Sequence, residues 1–167
     1  FSRNLSQANL LAEKVNSTGI NNYSQLKETD LFIVAVSDDA ISTVFSELKS
    51  STPVVHTSGN TALQERYQNT ESGVFYPLQT FSKGSGTNWS EVPICIEAAN
   101  EDLLQKLHLL GELLSENVKT ITSAERAIIH AAAVLACNFT NHLGALTQEV
   151  LEDHNLSLDL LNPLIQK

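Results

Sequence analysis

Apolar positions Ala8, Leu11, Ala12 and Val15 recur at i, i+3, i+4 and i+7, and predict an amphipathic helix from Ser6 to Val15. Leu31–Val36 is a continuous apolar run rich in β-branched residues, the pattern of a strand buried on both faces of a parallel sheet. Asp38 and Asp39 are expected to cap the next helix, whose inner face is Ile41, Val44, Phe45 and Leu48. Pro53–His56 predicts a second strand, followed by the loop Thr57-Ser58-Gly59. Gly73–Tyr76, Ile94–Ala98 and Val118–Thr120 predict three more, with a helix carrying Leu103, Leu107, Leu110 and Leu114 before the last. Strands alternating with helices at this spacing predict an α/β fold with a parallel sheet.

The pattern changes at Thr122. Thr122-x-x-Glu125 is a capping box, and from there to about His154 no proline interrupts a helical period. Ile128, Ala132, Leu135, Phe139, Leu143, Leu146 and Val150 form one stripe. A helix of about thirty residues is roughly 45 Å long, more than a small α/β domain covers alone, so the stripe is expected to pack on further surface. Asn155 and Leu156 break the helix, and Ser157–Ile165 reads as the start of another. The expected division is an α/β domain over residues 1–121 and the beginning of a helical domain over 122–167. Ser82–Thr87 is the one stretch that reads as flexible.

Composition narrows the class. Ten Lys and Arg against 19 Asp and Glu give a net charge of −9, and the basic residues are scattered singly from Arg3 to Lys167. No basic stripe offers a phosphate backbone its contacts, so nucleic-acid binding is not expected. No apolar run approaches the roughly 18 residues of a membrane span. The two cysteines, Cys95 and Cys137, lie in apolar runs and read as small buried hydrophobes rather than a disulfide, which points to a reducing, cytoplasmic setting. Six Asn-x-Ser/Thr triplets occur in a chain rich in both residue types and read as accidental. The chain opens on Phe1 and contains no methionine, so residues upstream are expected.

In an open parallel sheet, ligands lie outside the carboxyl ends of the strands. Ser2-Arg3 precedes the first helix. It is either a helix-capping Ser with a solvated Arg, or, if a dinucleotide-binding strand ends there, a site for the ribose 2′-phosphate of NADP. Val36, Ser37 and Asp38 follow one strand, and His56, Thr57, Ser58 and Gly59 end another. Tyr76 to Phe81 leaves a third, stiffened by Pro77. On the long helix, His130, Val134, Cys137, Asn138 and Asn141 share one side, where the neighbouring alanines let another backbone approach while the polar groups demand partners. That His is either a satisfied core group or part of a site. The five histidines show no metal-ligand spacing, and Thr57-Ser58-Gly59 lacks the first Gly of a nucleophile elbow.

Four motifs in order carry a more specific resemblance: His56-Thr57-Ser58-Gly59, Val74-Phe75-Tyr76-Pro77-Leu78-Gln79-Thr80-Phe81, His130–Val134 followed by Cys137-Asn138-Phe139-Thr140-Asn141-His142, and Asn162-Pro163-Leu164-Ile165. Together, over essentially the whole chain, they resemble the family described as "putative NADP oxidoreductases", with a Rossmann-like N-terminal half and a helical C-terminal domain of formerly unassigned function. That family is similar to pyrroline-5-carboxylate reductases, deazaflavin-dependent NADP reductases and hydroxyisobutyrate-type dehydrogenases. Its Gly-x-Gly-x-x-Gly turn, which holds a pyrophosphate, is absent from this sequence, and the family pattern continues past Asn162-Pro163-Leu164. Tyr76 stands where many relatives have His.

The resemblance implies that Ser2 and Arg3 contact the 2′-phosphate of NADP and that Val36 and Ser37 line the path to the nicotinamide. Ser58 and Gly59 would lie beside it, and His56, Tyr76, Gln79, His130 and Asn138 would wall the substrate. His130 and Asn138 are the expected catalytic pair in a hydride transfer between NADP and a small carbonyl, imine or deazaflavin-type substrate. A homodimer through the helical domain is implied as well. The competing expectations are a protein that binds or senses NADP without turnover, and a structural module built on the long helix.

Overall fold

A computed structural model describes residues 1–48, 51–63, 71–81 and 86–165. Strands β1 (Phe32–Val34), β2 (Val54–His56), β3 (Ser72–Pro77), β4 (Ile94–Ala98) and β5 (Val118–Thr120) form one sheet in the order β1-β2-β3-β4-β5. The β1–β2, β2–β3 and β4–β5 pairs are parallel. The β3–β4 pair is antiparallel, with Tyr76 opposite Cys95 and Val74 opposite Glu97. The expected α/β fold with a Rossmann-like, mostly parallel sheet is present, and the β3–β4 pair is the departure from it. The described part of the β3–β4 connection holds only a 3-10 turn at Trp89–Glu91, and an antiparallel return needs no crossover helix.

Alternation along the strands feeds two cores. Val55, Phe75, Ile94 and Ile96 face α3 (Glu101–Glu112) through Leu103 and Leu107. On the other face Val34 and Val54 pack against Ile41 and Phe45 of α2 (Asp38–Glu47). The α2 N-cap is Ser37, not the aspartates; Asp38 and Asp39 fill the first turn, where their charge meets the positive helix end. Helix α1 (Leu5–Lys14) is capped by Asn4, whose side chain accepts from the Gln7 N–H at 3.2 Å.

The expected capping box of Thr122 and Glu125 is present and starts α4 (Ser123–Ala133). A π-helical segment, Val134–Phe139, follows, and α5 (Thr140–Glu152) continues from it. The long helix is thus uninterrupted but widened and underwound in its middle, a feature the apolar period does not reveal. Asn155 adopts φ 56° just beyond it, and a 3-10 turn (Leu158–Leu161) leads into the short α6 (Asn162–Ile165). Ile128, Leu135, Phe139, Leu143, Leu146 and Val150 are all exposed. Cys95 is buried as expected, but Cys137 is exposed, because no second layer among the described residues covers this part of the helix. Both thiols are free. Most of the stretch expected to be flexible, residues 82–85, lies outside the described residues. No described helix is long and apolar enough to cross a membrane.

Candidate active site

The carboxyl ends of β1, β2 and β3 lie side by side, and α4 passes over the sheet face that carries Val74, Tyr76 and Glu97. On the helix side, a cavity of about 430 Å³ is lined by Tyr76, Gln79, His130, Val134, Cys137 and Asn138, among others. The helical period and the π segment bring the last four to one side of one helix, and the strand end supplies the first two.

Tyr76 Oη lies 3.0 Å from His130 Nδ1, with the rings edge-on at 6.0 Å between centroids. Burial, and then the neighbouring Cys95, push the Tyr76 phenol above its ordinary range against a smaller opposing effect of Arg126. The phenol therefore stays protonated and can donate to Nδ1 of a neutral ring, which then carries its hydrogen on Nε2, or accept from Nδ1–H of an imidazolium. Gly59 backs directly onto this pair. A Cβ there would stand 2.5 Å from His130 Nδ1 and 2.7 Å from Tyr76 Cζ, so the close approach requires glycine.

A second cavity of about 400 Å³ opens on the other side of Tyr76, lined by Ala35, Thr57, Tyr76, Pro77, Gln79, Phe81 and Trp89. Ala35 and Thr57 follow β1 and β2, Tyr76 and Pro77 end β3, and Gln79 and Phe81 follow it, so the cavity occupies the crevice expected for a ligand of an open sheet. Tyr76 and Gln79 border both cavities.

Other expected residues stand elsewhere. His56 is 1% exposed and lines neither cavity. It faces Phe45 of α2, and its Nδ1 accepts the Ser58 N–H at 3.2 Å. Its Nε2 has no hydrogen-bond partner among the described residues, and burial, reinforced by Arg126, lowers its pKa to about 4. It shapes the loop rather than walling a substrate. Ser58 Oγ accepts from the Asn60 and Thr61 N–H groups and closes the turn around Gly59. Ser37 caps α2, and Val36 lines a separate hollow with Phe1, Leu11 and Tyr23. Ser2 Oγ accepts from the Asn4 N–H at 3.2 Å and Arg3 is exposed; neither borders the two cavities.

The sequence reading missed Arg126, Glu97 and Ser123. Arg126 is 1% exposed, pairs with Glu97 and donates to the Thr61 carbonyl at 2.7 Å. Ser123 Oγ bonds Glu97 at 2.8 Å and accepts the Leu63 N–H at 2.9 Å. The available signal was one helical turn: Arg126 and His130 are i and i+4 on one face.

Residues 92–167 match DUF2520, a domain of unknown function. Over 99% of this chain, the structure is similar to that of a "putative NADP oxidoreductase" from Bacteroides fragilis, at 34% identity and a TM-score of 0.87, covering 66% of that protein. The chain thus carries a DUF2520 match and shares the Rossmann-like fold of that protein. Protein TM1727 of Thermotoga maritima shares the fold at 23% identity and a TM-score of 0.75, over 99% of this chain and 66% of its own. A semialdehyde dehydrogenase NAD-binding protein from Cupriavidus necator, in complex with calcium and NAD, shares it at 10% identity and 0.64, over 95% of this chain and 66% of its own. This chain thus spans 66% of the length of each. No curated protein matches it. The DUF2520 match contains Glu97, Arg126, His130 and Asn138, while Gly59 and Tyr76 come from the preceding part of the sheet, so the candidate site is shared between the two.

Proposed function

We propose that this chain serves an NADP-dependent oxidoreductase acting on a small carbonyl, imine or deazaflavin-type substrate, with His130 as the proton-exchanging group and Tyr76 as the group that orients it. The observation that carries this reading is the Tyr76–His130 hydrogen bond standing between two cavities at the carboxyl ends of parallel strands. The NADP oxidoreductase description of the Bacteroides fragilis protein supports the choice of cofactor.

The crevice beside Ala35, Thr57 and Pro77 suits a flat ring, being mostly apolar with polar atoms at Thr57, Tyr76 and Gln79. A nicotinamide bound there supplies or takes the hydride. Arg3, in a chain without a Gly-x-Gly-x-x-Gly turn of its own, is the candidate partner of the 2′-phosphate. The opposite cavity takes the substrate. A carbonyl or imine that gains a hydride at carbon needs one proton at oxygen or nitrogen, and His130 gives it in that direction and takes it in the other. Tyr76, held protonated, fixes the ring through Nδ1, accepting from it when His130 is the imidazolium that gives the proton and donating to it when His130 is the neutral ring that takes one. Asn138, on the same wall, offers an amide to the polar end of the substrate. Val134, Ala133 and Leu78 keep the rest of that cavity apolar.

We further read the boundary near residue 122 as the start of the helical domain, and the exposed Ile128–Val150 stripe as the face of a homodimer. The two free thiols fit a cytoplasmic protein. NADPH absorbance across a panel of aldehydes, ketones, imines and oxidised deazaflavin tests the activity. Oxidation that is lost in His130→Asn supports the enzyme. Tight NADPH binding with no oxidation by any member of the panel leaves a binding or sensing protein instead.

A further inference from the structure

Three contacts join the segment after β2 to the start of α4 in a regular order. The Leu63 N–H donates to Ser123 Oγ at 2.9 Å, Arg126 Nη2 donates to the Thr61 carbonyl at 2.7 Å, and Gly59 lies against His130. Each step of two residues back along the loop matches three or four forward along the helix. As the loop runs back from Leu63 to Gly59 the helix runs forward from Ser123 to His130, so the two segments run antiparallel.

Arg126 is the middle rung and ties in a third element. Its Nη1 meets Glu97 Oε2 on β4, its Nη2 also reaches Ser123 Oγ at 3.2 Å, and Glu97 accepts the Ser123 N–H at 3.0 Å. Glu97 sits two residues beyond Cys95, the residue opposite Tyr76. The guanidinium therefore fixes loop, helix and sheet one turn below the place where the same three elements supply Gly59, His130 and Tyr76. A buried ion pair is a poor source of stability, because desolvating both charges offsets their attraction. What a planar, forked donor gives instead is direction. Nε has no partner among the described residues, so the guanidinium is not there to satisfy every donor.

We propose that Arg126 is the positioning residue of this site: by clamping the Thr61 carbonyl and Glu97, it sets the distance between Gly59 and His130 and so holds His130 Nδ1 on the Tyr76 hydroxyl. The inference rests on the reading of Tyr76 and His130 as a functional pair, and the test separates the two. In protein labelled with 15N-histidine, the His130 ring signals, assigned through His130→Asn, are compared at one pH and below the melting transition in the parent chain, Tyr76→Phe and Arg126→Gln. Tyr76→Phe calibrates loss of the bond. Arg126→Gln is expected to move the Nδ1 signal by at least half of that displacement.

If Tyr76→Phe itself leaves the signal unmoved, the pair is not formed and the functional reading fails first. If Tyr76→Phe moves it and Arg126→Gln lowers the melting temperature without moving it, Arg126 only stabilises the fold and the proposal is overturned. Should Arg126→Gln not fold, Arg126→Lys keeps a positive charge beside Glu97 but loses the forked donor that also holds the Thr61 carbonyl. A displacement in the same direction as that of Tyr76→Phe supports the clamp, and an unchanged signal overturns it.

Discussion

Tyr76 and His130 are 54 positions apart in the chain and 3.0 Å apart in space, and each belongs to a different part of the fold. The phenol comes from the end of a sheet strand and the imidazole from the third turn of α4, inside the DUF2520 match. Neither part holds the pair alone.

If His130 exchanges the substrate proton, His130→Asn lowers turnover by about 10²–10⁴-fold, the usual effect of losing a general acid or base, with NADPH affinity nearly unchanged. Tyr76→Phe, which keeps the ring and removes the donor, produces a smaller loss in the same direction. Steady-state NADPH oxidation beside a fluorescence titration checks both; a fall in melting temperature with per-molecule activity intact would return His130 to a structural role.

Gly59→Ala places a methyl group 2.5 Å from His130 Nδ1. The ring must move, so the bond to Tyr76 is lost, and overpacking costs about 1–3 kcal/mol. Denaturant unfolding and NADPH oxidation are expected to show both effects together.

His56 makes stability depend on pH. Its pKa is lowered from 6.5 to about 4 in the folded chain, so between those values the unfolded state binds the extra proton. Stability is then fully present above pH 6.5 and falls as pH drops toward 4, by a total on the order of 3 kcal/mol. Urea unfolding at a series of pH values measures the slope, and His56→Phe, which fills the same space without titrating, is expected to flatten it.

Arg3→Ala is expected to weaken NADPH ten- to a hundred-fold and leave NADH almost unaffected, because a guanidinium facing a dianionic phosphate contributes about 1.5–3 kcal/mol. Parallel titrations with the two cofactors decide it. Equal loss for both makes Arg3 structural.

The exposed stripe has its own test. Leu143 is 63% exposed at its middle, and Leu143→Glu puts a charge into any interface formed there while leaving the sheet untouched. If the stripe is the proposed dimer face, sedimentation shows a dimer for the parent chain and a folded monomer for the variant.

The sequence by itself determined the strands, the helices and the helix stripe, because each is written in local apolar periods of two or of three to four and in short-range caps such as Thr122 with Glu125. Through motifs in a recognisable order it also led to the expectation of Tyr76, Gln79, His130 and Asn138 on one wall, and the four line one cavity. Tertiary structure alone decided that β4 runs against β3, that His56 turns inward toward Phe45, and that the helix swells into a π segment beside the cavity. It alone revealed Arg126. A charge four residues before a histidine on an exposed helix looks like any solvated side chain; only the carboxylate of Glu97, arriving from the strand paired with β3, and the carbonyl of Thr61, arriving from the loop after β2, turn it into a buried junction. Periodicity records which side of an element is buried, but the partners that meet there come from segments far apart in the chain, and packing chooses them.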